Sequence, residues 1–428
     1  MRVVPVVLLL AVCAADSPAA ADTIYVRGPA AAVAVAPAAI DHRVILIGDA
    51  GAPDPDGEPA LIALRRHAAA LPERTTVVFL GDNVYETGMP DASALEGTVM
   101  AEILDQALLN LYESRTDAER RIDAQIAAVE QAGARAVFVP GNHDWDQFGV
   151  GGWQRLLQFE AYLARVQARV ATPLLVRPAG GCPGPAALDL GAGARLITLD
   201  TQWWLDAGLG GKPGLDRNTT GCRHLTEDAV VAGLERELEA ACAAGDEVIV
   251  AAHHPLRTRG PHGGYAPALV HLFPLRILAS YVPAVLHWTP LPVLGSTIVG
   301  VRRFASPSVQ DLSNPTNRHM RRRLRAAMAR APADGCAPLL YAAGHDHSLQ
   351  VFAERRPGPR FTVVSGLGSS QKASPVGHEA RTLFAHSDPA HPGFVTVDFL
   401  RDGRARLAVV EWRSEAEGAG EVYARFLP

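Results

Sequence analysis

The chain has 428 residues and a formal net charge of −5, from 40 basic and 45 acidic side chains. Hydrophobic residues make up 48 % of the sequence, which suits a large folded core and excludes disordered, collagen-like and coiled-coil chains. The near-neutral charge balance provides no general attraction to nucleic acid, so no nucleic-acid partner is expected.

Residues 1–22 have the pattern of a signal peptide. Arg2 supplies a positive start, Val3–Val12 is an apolar core, and Ala19–Ala21 offers small residues for cleavage. The protein is therefore expected to be exported, either to a periplasm or out of the cell. A buried first strand and a lipid anchor on Cys13 are the alternatives for this segment.

The segment over 23–41 is rich in Ala, Val and Pro and predicts a linker ahead of a catalytic domain over 42–428. Export implies an oxidising compartment, in which cysteines can form disulfides. The cysteines beyond the signal are Cys182, Cys222, Cys242 and Cys336. The sequence alone does not choose among their pairings, although the first two lie in Gly- and Pro-rich stretches and are the first pair to test.

Apolar, β-branched runs alternate with helical patterns, which predicts an α/β fold with largely parallel strands. Strands are predicted at 43–47, 75–80, 136–139, 195–199, 247–252 and 339–343. Helices are predicted between them at 59–70, 95–112, 118–132, 153–170 and 226–244. Further strands without intervening helices are predicted at 349–353, 361–365, 393–399 and 406–412.

An apolar and basic insertion at about 265–335 interrupts this pattern. Ile277–Val301 has no Lys, Arg, Asp or Glu, but its prolines argue against a spanning helix. Asn317–Arg330 is Arg-rich, with apolar residues every four positions on one helical face, at Met320, Leu324 and Met328. The insertion predicts a buried cap or an oligomer interface, or a peripheral membrane contact over 277–330, with a membrane span as the remaining alternative.

Five predicted strands end in residues of the types that bind metals. The groups are Gly48-Asp49-Ala50-Gly51, Gly81-Asp82-Asn83-Val84-Tyr85, Gly141-Asn142-His143-Asp144, Ala252-His253-His254 and Gly344-His345-Asp346-His347. Loops after the carboxyl ends of strands form the ligand crevice of open α/β sheets, and glycine permits the tight turns that they need. Each group is a weak signal alone, but the five in this order predict one dinuclear metal site.

This set of motifs resembles that of the calcineurin-like metallophosphoesterases, and within them the small, tartrate-resistant-type purple acid phosphatases. Most members of the superfamily have Asp-x-His in the first motif. Here Gly51 stands at the His position and Tyr85 offers a ligand from the second motif, an exchange typical of the purple subgroup. The resemblance implies an α/β fold, a four-layer αββα sandwich of two mixed sheets, with the dinuclear metal site at the strand C-terminal ends.

Carried over to this sequence, the resemblance implies an Fe(III) site formed by Asp49, Asp82, Tyr85 and His347. It also implies a divalent site for Zn, Fe or Mn formed by Asp82, Asn142, His253 and His345, so that Asp82 is shared. Phenolate and carboxylate oxygens suit trivalent iron, whereas imidazole and amide groups suit a divalent metal. The resemblance further implies that His143 contacts the phosphate and leaving group, with His254 and His262 as candidates to assist.

The function implied is hydrolysis of small phosphate monoesters by attack of a metal-bound hydroxide. A phosphodiesterase or nucleotide hydrolase of the same superfamily is the alternative, and a non-catalytic binding protein on the same scaffold is the third interpretation. The insertion is expected to roof the active site or to dock on a membrane. Trp203 and Trp204 are candidates for the rim of the site or for the core.

Overall fold

The computed structural model describes residues 25–27, 34–91, 114–146, 151–206, 221–275, 286–330, 336–355 and 357–428. The predicted signal peptide with Cys13, and the predicted helix over 95–112, lie outside the described residues. So does the stretch 276–285 of the insertion.

Strands and helices alternate along the first part of the chain, as predicted. The strands described are β1 (Tyr25–Val26), β2 (Ile40–Ile47), β3 (Thr75–Phe79), β4 (Arg135–Phe138), β5 (Leu174–Val176), β6 (Ala186–Gly191), β7 (Ala194–Thr198), β8 (Glu247–Ala251), β9 (Leu340–Ala343), β10 (Leu349–Ala353), β11 (Phe361–Ser365), β12 (Thr382–His386), β13 (Gly393–Leu400), β14 (Ala405–Ser414) and β15 (Gly418–Leu427). The helices described are α1 (Pro59–Ala68), α2 (Arg115–Glu130), α3 (Gly152–Gln167), α4 (Gln202–Asp206), α5 (Glu227–Ala244), α6 (Ala268–Leu272), α7 (Pro292–Ala305) and α8 (Pro315–Ala329).

The strands form two mixed sheets. The seven-stranded sheet has the order β15-β14-β13-β2-β3-β4-β5, in which β2 to β5 are parallel and β13 to β15 are antiparallel. The eight-stranded sheet has the order β1-β12-β10-β11-β9-β8-β7-β6, in which β7, β8, β9 and β11 are parallel. Each sheet therefore presents a set of parallel strands whose carboxyl ends can share one edge.

Apolar side chains on both faces of each sheet create the layers. Val44 of β2 and Ile249 of β8 belong to the cluster between the two sheets. On the opposite face of β2, Ile45 packs with residues of α1, α2 and α3. The outer face of the eight-stranded sheet packs with α5 and α8, which contribute Leu234 and Met320. Because side chains alternate across a strand, each sheet is buried on both faces, and the predicted four-layer sandwich is confirmed.

The strands that the sequence did not predict are mainly short or lie at sheet edges, namely β1, β5, β6, β12 and β15. The linker expected over 23–41 is too long, since Tyr25–Val26 pairs with β12 and β2 already begins at Ile40. A strand of two residues shows no alternation that a sequence pattern could reveal. Trp203 and Trp204 are buried in the cluster beneath α5, so they belong to the core and not to a rim.

Two disulfides join distant parts of the chain. Cys182 bonds to Cys222, which is the pair that the sequence put first, and Cys242 bonds to Cys336. The bonded residues are 40 and 94 positions apart, so each bond closes a long loop. Such a bond restricts the unfolded chain more than a bond that closes a short loop.

The described part of the insertion folds into α6, α7 and α8. Met320, Leu324 and Met328 of α8 are buried, as the four-residue spacing predicts. Pro292 is the first residue of α7. Proline is tolerated there because the first N–H groups of a helix have no carbonyl partner within the helix, so the missing N–H costs no hydrogen bond. None of the helices described is long and apolar enough to cross a membrane.

Candidate metal centre

Five loops from both sheets meet at the carboxyl ends of parallel strands. The loops after β2, β3 and β4 carry side chains from the seven-stranded sheet, which are Asp49, Asp82, Tyr85 and Asn142. The loops after β8 and β9 carry His253, His345 and His347 from the other sheet. The site therefore spans the joint between the two sheets, and all seven predicted ligand residues come together there.

The backbone at this joint is packed too closely for side chains at the motif glycines. A Cβ atom on Gly141 would lie only 2.2 Å from the backbone nitrogen of Asp82. Three of the candidate ligands also adopt left-handed backbone conformations, with φ of 60°, 55° and 72° at Asp49, Asp82 and His345. Such conformations are uncommon outside glycine and are found where the surrounding structure fixes a functional side chain.

The first donor cluster surrounds the hydroxyl of Tyr85. This oxygen lies 3.0 Å from Asp49 Oδ1, 3.1 Å from Asp82 Oδ2 and 3.0 Å from His347 Nε2. The Nδ1–H of His347 donates to the carbonyl oxygen of Lys372 at 2.6 Å, so its Nε2 lone pair faces the cluster.

The second donor cluster surrounds the side-chain oxygen of Asn142. This oxygen lies 2.8 Å from His253 Nε2 and 3.0 Å from His345 Nδ1. The other ring nitrogens donate to backbone carbonyls, His253 to Leu80 at 2.8 Å and His345 to Gln310 at 3.0 Å. Two imidazole nitrogens and an amide oxygen therefore point at one position, an arrangement that a cation satisfies.

Asp82 lies between the two clusters and contributes to both. Its Oδ2 faces Tyr85, and its Oδ1 lies 3.4 Å from His253 Nε2. The backbone N–H of His143 donates to Oδ1 at 2.9 Å and holds the carboxylate in this orientation. Burial disfavours its charge, but His253 and His143 outweigh that effect and hold the pKa of Asp82 below its usual range.

The electrostatics of the buried clusters also fit a cation. Burial, Asp49 and Asp82 together raise the pKa of Tyr85 well above its ordinary value. Burial lowers the pKa of His253, but the carboxylate of Asp82 outweighs it and raises the pKa to about 9. The protein without ions therefore retains protons on these donors, and metal binding would displace them.

His143 and His262 flank the clusters. The Nδ1–H of His143 donates to the carbonyl oxygen of Glu86 at 2.5 Å, which leaves Nε2 4.0 Å from Asp82 Oδ2. The ring of His262 stacks against that of His345, with 4.0 Å between their centroids. The structure therefore places both imidazoles beside the donor clusters, and their roles toward a substrate stay predictions.

His254 lies beside the second cluster and is held by two neighbouring side chains. It is fully buried, its Nδ1 lies 2.9 Å from Thr201 Oγ1, and its Nε2 donates to the side-chain oxygen of Gln310 at 2.6 Å. Its ligand atoms lie within 4.8 Å of those of His253 and His345, but both of its nitrogens already have partners. His254 therefore packs against His345 beside the second cluster, with 4.4 Å between the ring centroids, and its assisting role stays a prediction.

One buried carboxylate that the sequence analysis did not assign a role joins the second and third motifs. Asp144 accepts hydrogen bonds from the backbone N–H groups of Asn83, Val84 and Gly141, at 2.8 to 3.1 Å. The sequence offered one indication of this role, because an acidic residue follows the Asn-His pair at the last position of the third motif. Asp144 therefore fixes the geometry of two ligand loops.

The insertion supplies a second group that sequence reasoning missed. Asp311 accepts from His262 Nδ1–H at 2.8 Å and from two nitrogens of Arg302 at 3.1 Å. Burial disfavours its charge, but Arg302 and His262 lower the pKa of Asp311 to about 2. Gln310, beside it, contacts both His254 and His345. No motif surrounds these residues, so only the folded arrangement identifies them.

The sequence over residues 42–282, more than half of the chain, matches the family described as calcineurin-like phosphoesterase. The chain belongs to this family. Members are phosphoester hydrolases with a dinuclear metal centre, and this calcineurin-like phosphoesterase places candidate ligand groups where two ions would bind. A comparison with curated proteins gives no match.

Solved structures with a similar course of the chain are distant in sequence. GAP50, the anchor in the inner membrane complex of Plasmodium, is 16 % identical over 91 % of this chain and 89 % of its own, with a TM-score of 0.47. A dimetal phosphatase from Danio rerio is 13 % identical over 91 % and 99 %, with a TM-score of 0.38. The NAD nucleotidase of Haemophilus influenzae is 12 % identical over 89 % and 53 %, with a TM-score of 0.31.

Proposed function

We propose that this calcineurin-like phosphoesterase is an exported phosphomonoesterase of the purple acid phosphatase type. The observation that carries the proposal is the exchange between Gly51 and Tyr85. A Cβ atom at position 51 would lie 2.5 Å from the carbonyl oxygen of Asp82, so a histidine ligand does not fit there. Tyr85 instead brings its hydroxyl within 3.1 Å of Asp49, Asp82 and His347.

The donor types support Fe(III) in the first cluster and Zn, Fe or Mn in the second. Carboxylates and a phenol oxygen dominate around Tyr85, and such hard anionic donors prefer a trivalent ion. Imidazoles and an amide oxygen dominate around Asn142, and these suit a divalent ion. Ions held there would lower the pKa of a coordinated water and neutralise phosphate charge.

The chain's own side chains would then orient and protonate the substrate. His143 is held by its hydrogen bond to the Glu86 carbonyl, which leaves Nε2 to contact a phosphate oxygen or the leaving group. His262 is held by Asp311 in the same way, on the side of the second cluster. The substrate class that this arrangement favours is a small phosphorylated molecule.

Hydrolysis of an aryl phosphate monoester and of the matching diester tests the proposal, on protein reconstituted with iron and zinc, from acid to alkaline pH. We expect faster cleavage of the monoester with an acid optimum. Asn142→Ala, loaded in the same way, serves as the impaired control because it loses a donor of the second cluster.

Preference for the diester, or an alkaline optimum that requires manganese, would contradict the proposal and favour the phosphodiesterase or nucleotide hydrolase alternative. Absence of turnover with both ions bound would favour the non-catalytic alternative. N-terminal sequencing of the native protein tests export, and we expect the mature chain to begin near residue 22.

A further inference from the structure

The large apolar side chains that the described part of the chain exposes all lie in the insertion. They occupy α6, α7 and the segment that precedes α7, and they are Leu269, Leu272, Leu286, Trp288, Val293, Leu294, Val301 and Phe304. Val293 is 79 % exposed and Phe304 is 69 % exposed. Single exposed apolar residues are ordinary, but a concentration of this kind marks an interaction surface.

This surface belongs to a packed hairpin of α6 and α7. A Cβ atom on Gly295 of α7 would lie 2.2 Å from the carbonyl oxygen of His271 in α6, so the helices touch at this glycine. The backbone N–H of Leu291 donates to Leu272 at 2.8 Å, and the rings of Phe273 and Trp288 meet edge to face at 5.5 Å. The apolar side chains are therefore presented on a defined surface of the folded protein.

The exposed residues of α7 lie on one side of the helix. At about 100° per residue, Val293, Val301 and Phe304 fall within a sector of about 80°. Gly295 and Val299 are buried on the other side. The helix is therefore apolar toward solvent as well as toward the protein. A helix at the surface of a soluble protein normally has a polar outer face.

Basic side chains accompany this apolar face, with almost no acidic ones. From Pro255 to Arg330 the sequence has a single acidic residue, Asp311, and that residue is buried and paired with Arg302. Arg303 is exposed at the end of α7, with its guanidinium 5.4 Å above the ring of Phe304. Exposed Trp, Phe and Leu beside Arg is the composition of protein surfaces that lie in the headgroup region of a membrane.

We propose that the α6–α7 hairpin docks on the surface of an anionic lipid bilayer. A second copy of the chain fits less well, since a two-fold contact would bring Arg303 of one subunit near the same face of the other, with no exposed acid of this segment to offset the charge. Anionic headgroups supply that charge, and the acyl region accepts Trp288, Val293 and Phe304. This contact does not depend on the proposed hydrolysis.

Vesicle flotation of the full chain tests the docking. The vesicles are phosphatidylcholine alone and phosphatidylcholine mixed with phosphatidylglycerol. We expect the protein to float with the mixed vesicles, and less so as salt is added. A triple variant, with Trp288→Ser, Val293→Ser and Phe304→Ser, should bind on the order of tenfold less. Each substitution removes apolar area that would otherwise be buried in the bilayer.

A matched pair of charge reversals separates this surface from general charge effects. Arg303→Glu should weaken flotation, whereas Arg401→Glu, at an exposed position on the β13–β14 turn, should not. Thermal unfolding of every variant tests its folding, and all five substituted residues are surface positions. If the triple variant unfolds early, the two Arg variants still decide the outcome.

Two results would overturn the proposal. Equal flotation of the wild type and the triple variant would assign membrane binding to another segment, such as residues 3–12. Failure of the wild type to bind either vesicle, together with self-association that the triple variant abolishes, would assign the surface to a second copy of the chain.

Discussion

At the scale of single residues, the arrangement around Tyr85 has a spectroscopic consequence. If Tyr85 ligates Fe(III), charge transfer from its phenolate gives the iron-loaded protein a visible absorption band. Tyr85→Phe should abolish the band because the ligand oxygen is removed. Tyr162→Phe is the matched control, since its hydroxyl bonds Asp123 away from the centre. Visible spectra of the two iron-loaded variants decide this, and colour that persists in Tyr85→Phe would refute the assignment.

A second residue-scale prediction concerns the positioning of His262. Asp311→Asn keeps the shape of the side chain but removes the charge that orients the imidazole. Turnover should fall about 10- to 100-fold, with metal content unchanged. Kinetic constants and metal analysis test this. Loss of metal in parallel with activity would mean that Asp311 maintains the site instead of orienting His262.

The same carboxylate makes stability depend on pH. Folding lowers the pKa of Asp311 from 3.8 to about 2, so its contribution is present above the unfolded value and is lost as the pH falls from about 4 to about 2. In metal-free protein, Asp311→Asn should therefore have a lower free energy of unfolding than the wild type near neutral pH. The difference between the two should become smaller in acid. Denaturant unfolding at several pH values measures this, and a constant gap would contradict it.

Sequence reasoning succeeded with residues whose position is set by a strand end and failed with residues whose position is set by tertiary contact. Asp49, Asp82 and His253 lie two or three positions after the end of a strand, so their convergence could be predicted from the α/β pattern. Asp311 reaches His262 from a segment that no periodicity relates to the sheets. A sequence likewise does not show that Thr201 and Gln310 contact the two ring nitrogens of His254.

At the scale of elements, the loops after β2 and β3 depend on the absence of a side chain at Gly51. Gly51→Ala would force its Cβ against the backbone from Asp82 to Val84. We expect a loss of about 1–3 kcal/mol of stability and a lower iron content, because the loop that carries two candidate ligands must shift. Gly151→Ala is the control, since a Cβ there meets nothing within 4 Å. Thermal unfolding and metal analysis of both variants test this, and equal behaviour would show that the loop tolerates displacement.

The buried elements of the sandwich could be predicted because both faces of each central strand are apolar, and such runs are visible in sequence. The insertion could be only partly predicted. Its helix α8 has one apolar stripe, at Met320 and Leu324, and is buried as that stripe requires. The exposed face of α7 is apolar as well, so its sequence resembles that of a buried helix and does not reveal which side meets solvent.

At the scale of the whole molecule, the metal centre joins the two sheets. Candidate ligands come from β2, β3 and β4 of one sheet and from β8 and β9 of the other, so ions bound there would tie the sheets together. An ion that binds only the folded chain adds about 2.7 kcal/mol to the free energy of unfolding when its free concentration is 100 times its dissociation constant. Removal of metal with a chelator should therefore lower the melting temperature, and reloading should restore it.

Calorimetry of the loaded, stripped and reloaded protein measures this effect. Asn142→Ala should show a smaller difference between the loaded and stripped states, because one donor of the second cluster is absent. An unchanged melting temperature on stripping would mean that the ions add no connection between the sheets.

The distribution of the candidate ligands along the chain also has a kinetic consequence. The first of them is Asp49 and the last is His347, and neither donor cluster is complete until β9 has joined its sheet. Contacts between such distant segments form late in folding. We therefore expect metal acquisition to follow the docking of β9, so that the ions acquired would be those of the compartment in which folding finishes.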